Sequence, residues 1–206
     1  MRKITCNCEQ TFSADLPDEV DLDQSPDTVQ SISAGTFLSC ICPACGAELH
    51  TDLETRVVWP SRSMKLLLVP ELSRFSVLSG RYEAVEGYDL VVGYAELADR
   101  VTVYRDGLDP LTVEALKFHI VQKALESSPE TAPIISFEGV DADSNLIFHV
   151  HGLRDSEIAV MKVPGKLYQT VFVSVTSKPD EEPHSLLRNG AYLSVQNLAF
   201  GGSDND

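Results

Sequence analysis

Cys42-Pro43-Ala44-Cys45-Gly46 closes the cysteine-bearing part of this 206-residue chain. Cys40 stands two residues ahead of it, Cys6-Asn7-Cys8 lies far upstream, and no cysteine follows Cys45. Two close thiol clusters separated by a loop are the layout of a tetrahedral thiolate site for zinc. In Cys-Pro-x-Cys-Gly the chain turns tightly enough for both sulfurs to face one centre. Pro43 pre-sets φ for the turn, and Gly46 can take the positive φ that lets the chain leave without a clash. Backbone N–H groups of such a turn also donate to the sulfurs and support a charged site.

The first cluster is shorter. Cys6 and Cys8 are two apart, and on a plain strand their side chains would point to opposite faces. A bend at Asn7 is needed to bring both onto one ion. Five thiols serve four positions, and the expected ligands are Cys6, Cys8, Cys42 and Cys45, with Cys40 as the alternative ligand. Cys40 otherwise reads as a small buried hydrophobe on the strand that enters the turn. Disulfides are the competing use of these thiols, and they need an oxidising compartment. The start, Met1-Arg2-Lys3-Ile4-Thr5-Cys6, has no apolar core and does not read as a signal peptide. The expectation is therefore a structural zinc ion in a cytoplasmic protein.

Several stretches together resemble a known family. They are Lys3-Ile4-Thr5-Cys6 followed by Phe12, Ser33-Ala34-Gly35-Thr36-Phe37, and the Cys42–Gly46 knuckle. Leu68-Val69-Pro70 and Gly93-Tyr94-Ala95-Glu96-Leu97-Ala98-Asp99-Arg100-Val101 follow later. Over residues 1 to about 125 the chain resembles the bacterial CpXC domain, named for paired Cys-Pro-x-Cys motifs and of unknown function. Cys6-Asn7-Cys8 departs from that pattern. The resemblance implies a metal site and supplies no reaction.

Charge narrows the partners. The formal net charge is −15, and no Lys or Arg occurs between Lys3 and Arg56. That window carries Asp15, Asp18, Glu19, Asp21, Asp23 and Asp27 among other acids. A module that gripped phosphates would need cations there, so neither nucleic acid nor an anionic membrane is an expected partner. No apolar run approaches the roughly 20 residues of a membrane helix. The acids read as a solvated face or as a docking surface for a basic protein.

The expected fold is α+β, in three parts: zinc-ribbon-like hairpins with a helical insertion, a middle α/β segment, and a mainly antiparallel C-terminal β domain. Arg2 to Thr5 and Thr11 to Leu16 read as the first ribbon arm, and Thr36 to Ile41 and Ala47 to Leu53 as the second. Between them Ser25-Pro26-Asp27 reads as a helix start, with Ser25 as N-cap, and Gly35 as its end. Arg56 to Trp59, Met64 to Val69 and Asp89 to Val92 read as strands, with Trp59 as a core anchor. Tyr94 to Tyr104 reads as a helix with Leu97, Val101 and Tyr104 on one face and Glu96, Asp99 and Arg100 elsewhere on its surface. A longer helix begins near Asp109-Pro110, with Val113, Leu116, Ile120 and Ala124 inward and His119 at the surface.

Residues 129–200 read as the β-rich domain, after a 1–128 domain whose ribbon covers about 1–55. Its strands are Ile134 to Phe137, Leu146 to His151, Ile158 to Val163 and Tyr168 to Val175. Residues 185–200 fit either a hairpin at Asn189-Gly190 or a helix, and 201–206 read as a disordered tail. His149 and His151 share a strand face, with no third metal ligand evident from sequence. No Walker loop, Gly-x-Ser-x-Gly elbow or His-Glu-x-x-His occurs. The expected function is an interaction or scaffold module that binds another protein. The alternative is an enzyme with a pocket between the ribbon and the C-terminal sheet.

Overall fold

The computed structural model describes residues 1–127, 129–154 and 157–200. The expected disorder of 201–206 falls outside them. The fold is α+β and divides into two compact units. One comprises residues 1–75 and 83–98, the other 76–82 and 99–206.

The first unit begins with the hairpin β1 (Arg2–Thr5) and β2 (Thr11–Ala14), in register from Arg2 opposite Ala14 to Thr5 opposite Thr11. β3 (Glu19–Asp21) and helix α1 (Asp27–Ser33) follow, then the short hairpin β4 (Ser39–Ile41) and β5 (Glu48–His50). Pro26, not Ser25, occupies the N-cap of α1, and no side chain caps it. Proline pre-sets the helical φ there, while Ser25 contributes only its carbonyl, to the Thr28 N–H. Gly35, at φ +76°, ends the helix as expected.

β6 (Thr55–Trp59), β7 (Met64–Val69) and β8 (Asp89–Val92) complete this unit's strands. β6 pairs parallel with β3 and antiparallel with β7, and β7 pairs parallel with β8. In β7 every residue but Lys65 is buried, the near-continuous apolar run of a strand covered on both faces. Trp59 is only half-buried, with the Arg62 guanidinium 5.5 Å above its ring. It lies next to the Pro60 turn at a strand end, where Arg62 rather than the core covers its face. The Tyr94 hydroxyl ties the end of α1 down: it accepts from the Phe37 N–H and lies within bonding distance of the Ser31 and Ile32 carbonyls.

Between β7 and β8 lies a short helix, α2 (Arg74–Leu78). Helix α3 (Gly93–Arg105) starts directly after β8, and the division into units falls within it, after Ala98. Then come α4 (Pro110–Ser127), β9 (Ile134–Val140), β10 (Asn145–His151), β11 (Ala159–Pro164) and α5 (Gly165–Ser177). The three strands form an antiparallel sheet in the order β11-β10-β9. Phe137 and Phe148 from neighbouring strands, with ring centroids 5.4 Å apart, share its core with Leu116 and Ile120 of α4 and Val171 and Val175 of α5. α4 thus packs on the C-terminal sheet, although the sequence reading placed it before a boundary at 128.

Three sequence readings are corrected here. Tyr168 to Val175 is helical, within α5, and is not a strand. Its β-branched run favours a strand locally, but Tyr168, Val171 and Val175 lie on one helical face and all three are buried. A strand would have buried Val173 with Val171 and Val175, whereas Val173 is 61% exposed. Asp99 and Arg100 are not on the surface; both are buried. With Glu114 and Lys117 of α4 they form an ion network. Lys117 bonds Asp99 and, at 2.8 Å, Glu114, while Arg100 donates to the Leu193 carbonyl at 2.7 Å. Asp99 also accepts from the Phe137 N–H and Glu114 from the Val195 N–H. The C-terminal stretch is both hairpin and helix: β12 (Arg188–Asn189) pairs antiparallel with β13 (Tyr192–Leu193), and α6 (Gln196–Phe200) follows.

Candidate metal centre

Both cysteine clusters lie at the ends of hairpins, and the backbone closes each in the same way. In the second, the Gly46 N–H donates to the Cys42 carbonyl and the Cys42 N–H to the Ala47 carbonyl, each at 2.9 Å. In the first, the Glu9 N–H donates to the Cys6 carbonyl and the Cys6 N–H to the Gln10 carbonyl, again at 2.9 Å. Gly46 has φ +74° and Glu9 has φ +67°. The first knuckle is therefore the second with one residue removed. The bend needed for Cys6-Asn7-Cys8 is made, with a left-handed glutamate where the longer knuckle has glycine.

The consequence is convergence of four sulfurs. Those of Cys6, Cys8, Cys42 and Cys45 all lie within 4.8 Å of one another. Cys6 to Cys45 is 3.6 Å and Cys8 to Cys42 is 3.7 Å. A tetrahedral ion with metal–sulfur bonds of about 2.3 Å has sulfur–sulfur edges of about 3.8 Å, so the spacing fits one ion. Cys6 and Cys42 are buried and Cys8 and Cys45 exposed, which leaves the cluster open on one side. Cys40, opposite Leu49 in the β4–β5 pair, is half-buried and not among the four.

The electrostatics suit a cation. Backbone N–H donation from Cys45 leads the causes that bring the Cys42 thiol down to about 7, against its burial and with further help from the Ala44 N–H. At Cys6 the Cys8 N–H also pulls downward, but burial and the neighbouring sulfurs of Cys8, Cys45 and Cys42 prevail and push it up to about 12. Four thiols this close cannot all ionise on their own, because each thiolate raises the cost of the next. A bound metal ion removes that cost and lets all four act as thiolate ligands.

The sequence reading named these four cysteines, and the structure brings them together. It missed Glu9 as the position that completes the first knuckle. The signal was weak, since glutamate seldom takes positive φ. His50, at the end of β5, bonds the Ser39 hydroxyl at 2.9 Å and is outside the group. His149 and His151 do share a face of β10, as the strand period requires.

Four cysteines on two knuckles, each at the tip of a short hairpin, define a cysteine-knuckle domain whose four sulfurs could hold a metal ion. The family model for "CpXC protein" matches residues 4–117, more than half of the chain, and the protein belongs to the CpXC family. It is 34% identical to an uncharacterized protein of Treponema pallidum (strain Nichols) over 96% of this chain and 98% of that relative. No solved structure matches it. Among the described residues no helix is long and apolar enough to cross a membrane.

Proposed function

We propose that Cys6, Cys8, Cys42 and Cys45 hold one structural zinc ion, and that the protein is a cytoplasmic, zinc-stapled module that binds another protein and catalyses nothing itself. The observation that carries this is the set of four sulfurs at tetrahedral spacing. Four thiolates fill a tetrahedral ion and leave no position for water or substrate, the mark of a structural site rather than a catalytic one. Soft sulfur donors favour zinc over magnesium, calcium or manganese. Thiols kept free for metal suit a reducing compartment. The strands that carry the knuckles are three or four residues long, too short to be stable without a clamp.

For the partner, the acidic stretch between Lys3 and Arg56 is the supporting feature, and it favours a basic protein surface over nucleic acid or an anionic membrane. The metal half is tested by elemental analysis of purified variants. The expected result is one tightly held zinc per chain in the native protein. Cys42→Ser and Cys45→Ser each lose it. Cys40→Ser keeps it and costs about 1–2 kcal/mol, as expected for a hydroxyl in a half-buried strand position. Zinc lost from Cys40→Ser and kept in Cys6→Ser or Cys8→Ser would move Cys40 into the ligand set.

A further inference from the structure

His149 and His151 alternate along β10, the central strand of the C-terminal sheet, and both project from the face opposite the Phe137–Phe148 core. Their ring centroids are 6.3 Å apart. A carboxylate reaches the first of them from the next strand. Glu138 Oε1 lies 3.2 Å from His149 Nδ1. Sequence spacing could not show this, because the approach depends on a bulge. Phe137 pairs with Phe148 and Gly139 with Ile147, so β9 carries one extra residue at Glu138. Gly139 allows the bulge by adopting φ +147°. The Ser136 hydroxyl donates to the same Glu138 oxygen at 2.8 Å and holds the carboxylate towards His149.

We propose that Glu138, His149 and His151 form a second metal site, for a divalent transition ion bound through two imidazoles and one carboxylate. Imidazole nitrogen suits zinc, nickel and copper, and it suits magnesium and calcium poorly. Two histidines at i and i+2 on a strand, with a carboxylate on the neighbouring strand, can present three donors to one side of an ion. All three residues are exposed or half-exposed, and their donor atoms do not all lie within 4.8 Å of one another in the structure, so binding requires the side chains to turn towards a common centre. The outward face leaves the remaining coordination positions to water. Ser136 would orient the carboxylate, as the hydrogen-bond partners of metal ligands do. This site is chemically distinct from the cysteine cluster, having nitrogen and oxygen donors and no sulfur.

The test is equilibrium dialysis of the full-length chain, loaded with one equivalent of zinc, against Ni²⁺ near neutral pH, with X-ray absorption of both metals. The expected result is one bound Ni²⁺ per chain with a nitrogen and oxygen shell, while zinc keeps its sulfur shell. His149→Ala and His151→Ala should each weaken Ni²⁺ binding about tenfold or more, with Glu138→Gln weaker than native as well. His119→Ala, an exposed histidine on α4, should leave it unchanged. Absence of Ni²⁺ from the native chain, or binding that survives the His149→Ala/His151→Ala double variant, would overturn the proposal. Failure of the cysteine site shows separately, as zinc without a sulfur shell, and does not affect this outcome.

Discussion

Glu9 does in the first knuckle what Gly46 does in the second, at a cost. A residue with a Cβ in the left-handed region is disfavoured by roughly 1–2 kcal/mol relative to glycine, partly offset by the greater unfolded-state freedom of glycine. Nothing lies within 4 Å of the position a Cβ would take at Gly46, so conformation rather than space selects glycine there. Glu9→Gly should therefore raise stability against chemical denaturation by about 0.5–1 kcal/mol, and Gly46→Ala should lower it by about 1 kcal/mol. Opposite signs for the two are the informative outcome. Equal signs would mean that the knuckles are not built alike.

Among the elements, the tie between α3 and α4 is ionic. Burial works against the Lys117 ammonium, but Asp99 and Glu114 overcome it and hold its pKa above the ordinary lysine value. Burial likewise opposes the Glu114 carboxylate, and Lys117 and Arg100 overcome that too, so its pKa lies below the ordinary value. Lys117→Met would leave two buried carboxylates with Arg100 as their one remaining cation among these four residues. A loss of about 3–5 kcal/mol is expected in urea unfolding followed on the second unit. The turn between β9 and β10 responds to acid instead. The Asn145 N–H and side-chain amide, then Lys162, hold Asp141 down at about 2. Its folded pKa lies below its unfolded value of 3.8, so its contribution is present above that value and is lost as pH falls through about 2. Amides of residues 140–146 should lose exchange protection over that interval, and Asp141→Asn should abolish the pH dependence.

For the whole molecule, each unit has a separate source of stability. The second has a core of two packed phenylalanines, two long helices and an ion network, and it contains no cysteine. The knuckles of the first depend on metal by the proposal above. Chelation should raise amide exchange across residues 1–55 while residues 99–127, 134–151 and 159–193 keep their protection. Loss of protection throughout would show that the second unit does not fold without the metal.

The cysteine spacing and the short hairpins around it were legible because they are local. A knuckle is a few residues of turn chemistry, and Pro43 and Gly46 announce it. The β6–β7 pair and the helices α3 and α4 were legible for a related reason: their apolar period and end signals lie within each element. The α5 helix was not, because Val171-Phe172-Val173-Ser174-Val175 satisfies a strand locally and only packing against α4 and the sheet selects the helical face. The places of Asp99 and Arg100 were hidden in the same way. Charge on a helix reads as surface until a second helix supplies Glu114 and Lys117 to pair it. Glu138 reaches His149 through a bulge that pairing with β10 creates. Contacts within a few residues are written in the chain, whereas burial, pairing of charges and the meeting of distant ligands exist only once the elements are packed.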